Sequence, residues 1–250
     1  MLWVIFMKIV SWNCRQGLYL HDKFKKIREL DADIYVILEV NKPKEFNEDY
    51  AEFMKNSEVL LYDNGSTKAN NYGIAVIAKE GITLENNNWD YEYNDFLSVR
   101  VNDSFDLVAV WTHNSFKIGG EWKSQGDKEY VRRIDEYLDL YGNEFCNSDN
   151  LIMCGDFNLD MSSDKPKNKE EFIYKLKDYG YESIYHEVYN ENIGEESVKT
   201  FHRRDGDFHI DYLFTKPEIV SSFELGSRNE FVDCGDDSSD HVPLIFEVDL

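Results

Sequence analysis

Several apolar runs in this chain end on residues that can handle a proton, a phosphate or a hard metal ion. Residues 151–160 read LIMCGDFNLD: four uncharged apolar residues, Gly155, then Asp156 and Asn158 two apart. Such a run suits a strand buried on both faces. In extended chain, Asp156 and Asn158 would project to the same side. Gly155 closes the run, where a chain turns or another group approaches its backbone. Gly, Asp and Asn are also ordinary turn residues, so this stretch alone supports a turn as readily as a site. The pattern recurs, however. Asn13 follows KIVSW, Glu39 follows IYVIL, His113 follows LVAVWT, Asp211 sits inside HIDYLF, and Asp240 and His241 precede VPLIFEV. Singly, each has a plain reading as a solvated rim carboxylate or a packed histidine. Together they form a set of carboxylates, carboxamides and imidazoles at strand ends. That set suits Mg²⁺, which takes one or two carboxylates, keeps water and uses substrate phosphate oxygens as further ligands.

The elements that must position these residues follow from periodicity. Strands are expected at 8–13, 34–38, 59–62, 73–78, 97–101, 107–111, 151–154, 200–204, 209–215, 223–226 and 242–248, with Asn102–Asp103 joining two of them. Helical spacing marks 21–31 (Phe24, Ile27 and Leu30 on one face, Asp22 as N-cap), 43–56, 127–141 and 169–179. In 127–141, Val131, Ile134 and Leu138 mark the buried face, and Arg132 and Arg133 fall nearer solvent. Residues 81–95, 115–124 and 182–198 read as loops, and Asp205–Gly206 reads as a hairpin turn joining 200–204 to 209–215. Consecutive strands between helices imply a mixed sheet containing hairpins.

The ordered motifs carry a family resemblance. SWNC, ILEV, WTHN, GDFNLD, HIDYLF and SDHVPL resemble the motifs of the endonuclease/exonuclease/phosphatase superfamily, of DNase-I-like type, in the expected order. The resemblance implies an α/β fold: a four-layer α/β sandwich of two packed mixed sheets flanked by helices, with the active site at one end. It also implies phosphoester cleavage using Mg²⁺ or Mn²⁺. Carried over by residue, Glu39 would be the main metal carboxylate, with Asn13 beside it in the metal and phosphate environment. Asp240 would support a metal or His113. Asp156 would align or deprotonate the attacking water, and Asn158 would hold phosphate and water. His241 would contact the phosphate or assist proton transfer, paired with Asp211. His113 would be a phosphate ligand or general acid.

Bulk properties bound the partners. The 49 acidic and 27 basic residues give a formal charge of −22, which disfavours sequence-blind adhesion to nucleic acid or anionic membrane. It does not exclude an anionic substrate, because a metal and a few arginines reverse the sign of a cleft locally. Near the motifs, Arg15, Lys117, Arg203 and Arg204 are candidate substrate-binding residues, with Lys123 as a further base. Trp89, Tyr91, Trp122 and Phe208 could stack bases or simply pack. Cys14, Cys146, Cys154 and Cys234 lack metal-finger spacing, so reduced thiols and a cytoplasmic setting are expected. No apolar run reaches membrane length. No linker or repeat interrupts residues 1–250, which are expected to form one domain, with residues 1–6 a candidate extension before Met7. The expected activity is a metal-dependent nuclease, on short or single-stranded substrate rather than duplex DNA. The alternatives are a phosphoesterase acting on a lipid headgroup, inositol phosphate or nucleotide, and a non-catalytic binding protein of the same fold.

Overall fold

The computed structural model describes residues 6–15, 21–41, 57–63, 72–89, 94–112, 115–118, 121–124, 128–162, 169–235 and 238–250. Two six-stranded sheets dominate them. The first runs in the order β15 (Val220–Leu225), β16 (Leu244–Asp249), β1 (Phe6–Asn13), β2 (Ile34–Asn41), β4 (Tyr72–Lys79), β3 (Ser57–Asp63). The second runs β11 (Glu182–Ser183), β14 (Asp211–Thr215), β10 (Leu151–Asp156), β7 (Phe105–Trp111), β6 (Phe96–Val101), β5 (Leu84–Asn86). Both are mixed: β1 pairs β2 in parallel and β10 pairs β7 in parallel, while the other pairings are antiparallel.

Side-chain alternation builds the layers. From β10, Ile152 and Cys154 join the cluster between the sheets, while Leu151 and Met153 face α2 (Lys128–Asn147) and α3 (Glu171–Asp178). From β1, Met7 and Ile9 point between the sheets, while Val10 and Trp12 pack toward α1 (His21–Glu29) and α5 (Arg228–Phe231). The result is helix, sheet, sheet, helix, and both sheets are covered on both faces, which is why their central strands read as unbroken apolar runs. By the same alternation, Asn13, Asp156 and Asp211 lie on the inter-sheet sides of their strands, at the strand ends nearest one another.

Several elements differ from the sequence reading. Gly155 lies inside β10 rather than ending it: its φ is +142°, and an added Cβ would come within 2.0 Å of the Val110 carbonyl oxygen on β7. Arg133 is wholly buried rather than near solvent, because its guanidinium spans to Asp95, 3.0 and 2.9 Å from the two carboxylate oxygens. Residues 81–95 contain β5, residues 115–124 contain a hairpin, β8 (Ser115–Ile118) with β9 (Glu121–Ser124), and residues 182–198 contain β11 and α4 (Ile184–Tyr189). The turn at 204–205 joins β12 (Phe201–Arg203) to β13 (Gly206–Phe208), not to β14. Asp22 lies within α1, which begins at His21. The turn at Asn102 and Asp103 is as expected: both are left-handed (φ 48° and 53°), as a primed hairpin turn requires. The helix expected at 43–56 falls outside the described residues.

Candidate active site

The site assembles where β1, β2 and β10 end and β14 begins, together with the segment before β16. Asn13 closes β1 and is buried. Its Nδ2 donates to Asp156 Oδ2 at 2.9 Å and to Glu39 Oε1 at 3.2 Å, and its Oδ1 accepts the Arg15 N–H at 3.0 Å. One carboxamide therefore links carboxylates carried by both sheets.

Glu39 reaches this position through a defect in β2. Strict alternation would turn it to the outer face, with Ile37. Instead the register with β4 shifts between Leu38 and Val40, and Glu39 adopts φ 55°. A bulge of this kind re-aims a side chain. Ile37 and Val40 both remain in the outer cluster, three residues apart. Asn158 is a second left-handed residue (φ 53°), so Asp156 and Asn158 do not lie in one extended run as the sequence reading had it. The chain turns after β10, with the Asn158 N–H donating to Asp156 Oδ1 at 2.8 Å and its Nδ2 to the Thr112 carbonyl at 2.8 Å. Arg15, at φ 44°, is a third. Left-handed non-glycine backbone costs energy and persists where its surroundings enforce it, often at functional sites.

On the other side of Asp156 lies His241. Its Nε2 is 3.8 Å from Asp156 Oδ2 and 4.0 Å from Asp240 Oδ1, and its Nδ1 is 2.9 Å from Asp211 Oδ2. Burial works against its charged form, but Asp211, Asp156 and Asp240 outweigh burial and push its pKa up to about 9. Burial and the neighbouring Asp211 carboxylate push Asp156 up to about 7, against the pull of His241 and the Asn13 hydrogen bond. Burial is the largest cause of that shift, so it reports desolvation first; the surplus of negative charge is seen in the three carboxylates set around one imidazole.

Three hydroxyls and an indole hold this geometry, and the sequence reading singled out none of them. Ser239 Oγ donates to the Asn13 carbonyl at 2.6 Å and accepts the His241 N–H at 3.1 Å. Thr200 Oγ1 accepts the N–H groups of Ile210 (3.0 Å) and Asp211 (3.1 Å). Thr112 donates through Oγ1 to the Phe157 carbonyl at 2.5 Å and through N–H to the Asp156 carbonyl at 3.1 Å. Trp12 Nε1 donates to the His241 carbonyl at 2.9 Å. Ser239 and Thr112 each lie beside a motif residue, and that adjacency was the available signal.

Of the expected site residues, Asn13, Glu39, Asp156, Asn158, Asp211, Asp240 and His241 are thus brought together, and His113 lies outside the described residues. The expected metal residues split. Glu39 and Asn13 sit side by side, while Asp240 lies beyond His241, its Oδ2 3.5 Å from Arg15 Nε. Among the described residues, Asp156, Asp211 and His241 offer ligand atoms within 4.8 Å of one another. His241 Nδ1 is already committed to Asp211, and a hard cation prefers oxygen. The carboxylate oxygens of Glu39 and Asp156 fit a divalent ion better than the imidazole does, whereas Asn13 turns its own oxygen to the Arg15 N–H and presents Nδ2 to the two carboxylates, so it positions them rather than offering a ligand atom of its own.

The candidate substrate-binding residues lie around this cluster. Arg15 is exposed at its mouth. Arg203 is exposed, its guanidinium 4.9 Å from the Phe201 ring centre, and that ring lies 4.6 Å from the His241 ring. Arg204 is exposed in the adjacent turn. Lys117 lies on β8, but its side chain, like those of Lys123 and Trp122, is outside the described set, and so is Tyr91. Trp89 packs on the core, stacked on Tyr141 at 6.0 Å, and Phe208 lies 6.2 Å from Phe201. All four cysteines are free thiols, and among the described residues no helix is long and apolar enough to cross a membrane.

Comparison with known proteins agrees with this geometry. No curated protein sequence matches significantly. Solved structures do match in fold. The 3′-5′ exonuclease NExo from Neisseria meningitidis superposes with a TM-score of 0.69 at 16% identity, over 98% of this chain and 100% of that one. The same figures hold for a structure of NExo from Neisseria described as a 3′ phosphatase bound to product DNA hairpin. An AP endonuclease from Archaeoglobus fulgidus gives a TM-score of 0.68 at 16% identity, covering 96% of this chain and 98% of its own. All three have the DNase-I-like fold. The sequence profile that matches spans residues 10–241, from the strand that delivers Asn13 to His241 itself, and by that match the chain belongs to the Endonuclease/Exonuclease/phosphatase family.

Proposed function

We propose that this protein is a divalent-metal-dependent phosphoester hydrolase, most simply a nuclease acting on short or single-stranded nucleic acid or on its ends. The observation that carries this reading is the Asn13 carboxamide bonded to Asp156 and Glu39 at once, with the His241–Asp211 pair beside Asp156. Glu39 and Asp156, held together by the Asn13 Nδ2 and with Asp240 alongside, would hold Mg²⁺ or Mn²⁺. Bound there, the ion supplies charge neutralisation for the scissile phosphate and the departing oxygen.

The rest falls to the side chains. Asp156 faces the space where an attacking water would sit and takes its proton. Asn158 holds the phosphate and that water in line. His241, kept cationic and oriented by Asp211, contacts a phosphoryl oxygen or returns a proton to the leaving oxygen. His113, next to Thr112 in sequence, is assigned to the same end as a phosphate ligand or acid. Arg15, Arg203 and Arg204, with Lys117, are assigned to flanking phosphates, where guanidinium groups bind well.

A charge of −22 gives little support to broad duplex binding, which favours ends, single strands or small phosphorylated molecules. That the structural neighbours include a protein described as a 3′ phosphatase keeps a phosphomonoester at a nucleic-acid end within this reading. The free thiols, with Cys14 and Cys154 buried, support a reducing, cytoplasmic setting. The decisive assay offers single-stranded DNA, RNA, duplex DNA, a 3′-phosphorylated oligonucleotide, inositol phosphates and sphingomyelin, with Mg²⁺ or Mn²⁺. Hydrolysis abolished by EDTA and by Asp156→Ala is expected. No turnover of any substrate, or turnover indifferent to both, would sink the reading.

A further inference from the structure

Lys23 lies in the first turn of α1 and is almost fully buried, unlike Lys25 and Lys26 on the same helix. Both facts are unfavourable for a lysine. A cation in the first turn opposes the helix dipole, and a buried ammonium needs strong compensation. The compensation comes from the loop that follows β1: Lys23 Nζ donates to the Cys14 carbonyl at 2.6 Å and to the Arg15 carbonyl at 2.8 Å. Two carbonyls drawn to one ammonium bend the chain tightly, and Arg15 takes its left-handed conformation there. In that conformation the Arg15 N–H reaches Asn13 Oδ1 at 3.0 Å. Once Oδ1 is engaged, Nδ2 is turned toward Glu39 and Asp156. The Cys14 N–H donates to the Leu38 carbonyl at 3.1 Å, which ties the same loop to the residue before Glu39.

We propose that Lys23 is a positioning residue: its buried ammonium clamps the Cys14 and Arg15 carbonyls and so orients the Asn13 carboxamide that joins Glu39 to Asp156. The inference rests on the reading of Glu39 as a holder of a divalent ion, with Asn13 positioning it. It extends that reading to a residue that touches neither ion nor substrate.

The test is calorimetric titration with Mn²⁺ alone, on wild type, Lys23→Met, Lys23→Arg, Asn13→Ala, the Lys23→Met/Asn13→Ala double variant and Glu39→Ala. Lys23→Met is expected to weaken Mn²⁺ binding about tenfold, the scale of a lost orienting contact behind a ligand. Lys23→Arg, which keeps a charged donor, stays within about threefold of wild type. The double variant binds no more than about twofold worse than Asn13→Ala, because Lys23 acts through Asn13. A merely structural lysine would leave affinity unchanged or give losses that multiply, and either result overturns the proposal. So does failure of both Lys23 variants to fold by circular dichroism, which would make Lys23 a folding residue. If Glu39→Ala also binds Mn²⁺ like wild type, the metal reading itself has failed. If only Lys23→Met does, this inference alone has failed.

Discussion

Two of the clusters of buried charge among the described residues differ in kind. At the site, Asp156, Asp211 and His241 are each nearly inaccessible. Behind β6 and β7, so are Arg133, Asp95 and Glu129. The second cluster pairs its charges: one guanidinium meets both oxygens of Asp95 and also Glu129, at 3.2 Å through Nε. Arg132 bonds Glu129 as well and, against the effect of burial, lowers its pKa together with Arg133. The first cluster is open, with three carboxylates around one imidazole and Asp156 shifted upward to about 7. Burial alone therefore does not separate structural from chemical charge. The balance of charge within the cluster does, whereas left-handed backbone does not, since Asn94 beside Asp95 (φ 56°) shares it with Arg15, Glu39 and Asn158.

The comparison breaks most sharply at its two central aspartates. Asp156→Ala is expected to lower kcat by about 10⁴-fold, the upper range for a lost acid–base group, with a chemical-denaturation midpoint no lower than wild type. Asp95→Ala should do the reverse. Taking from the buried Arg133 its bidentate partner Asp95 costs about 3–5 kcal/mol, while the protein that remains folded keeps its specific activity within a few-fold. Urea unfolding and initial rates on both variants decide the matter, and matching profiles would erase the distinction drawn here.

This contrast also explains what sequence could and could not show. The strand ends were legible because their apolar runs are buried on both faces, and alternation places Asn13, Asp156 and Asp211 on the inter-sheet side. Glu39 was legible as a motif residue, but its route into the site was not: alternation aims it outward, and only the bulge against β4 reverses it. Arg133 was misread because the burial of a charge depends on its partner, and Asp95 lies 38 residues away. The hairpin of β12 and β13 was mispaired because Asp205–Gly206 signals a turn without saying how long the returning strand is. β8, β9 and α4 are only four to six residues long, too short for a period to stand out. Ser239, Thr200 and Lys23 act through backbone groups, which leaves no mark in the pattern of side chains.

A third expected effect is smaller and belongs to the open cluster alone. If surplus negative charge defines it, a divalent ion stabilises the folded state. At about 100 times its dissociation constant, Mn²⁺ should add about 2.7 kcal/mol, read as a rise in Tm. Glu39→Ala should lose most of that rise, and Asp95→Asn none of it, measured from its own lower baseline. Equal rises in wild type and Glu39→Ala would place the ion elsewhere.

The smallest effect tests the sign of the balance at a third buried carboxylate. Glu196 is almost inaccessible, with Oε1 3.1 Å from His186 Nε2 and accepting the Gly194 N–H at 2.8 Å. Burial works to raise its pKa, but these partners outweigh burial and hold it at about 2, below its ordinary 4.5. A depressed carboxylate contributes stability that is present above pH 4.5 and lost as pH falls toward 2. Asp156, raised from 3.8 to about 7, does the opposite: its contribution is present below pH 3.8 and lost as pH rises through 7. In EDTA, Glu196→Gln should therefore be less stable than wild type at pH 6 by about 1.5 kcal/mol, with the gap narrowing as pH falls to 3. Asp156→Asn should gain on wild type as pH rises from 4 to 7. Urea midpoints across that range read both slopes, and slopes of the same sign would mean that the two carboxylates differ in position but not in kind.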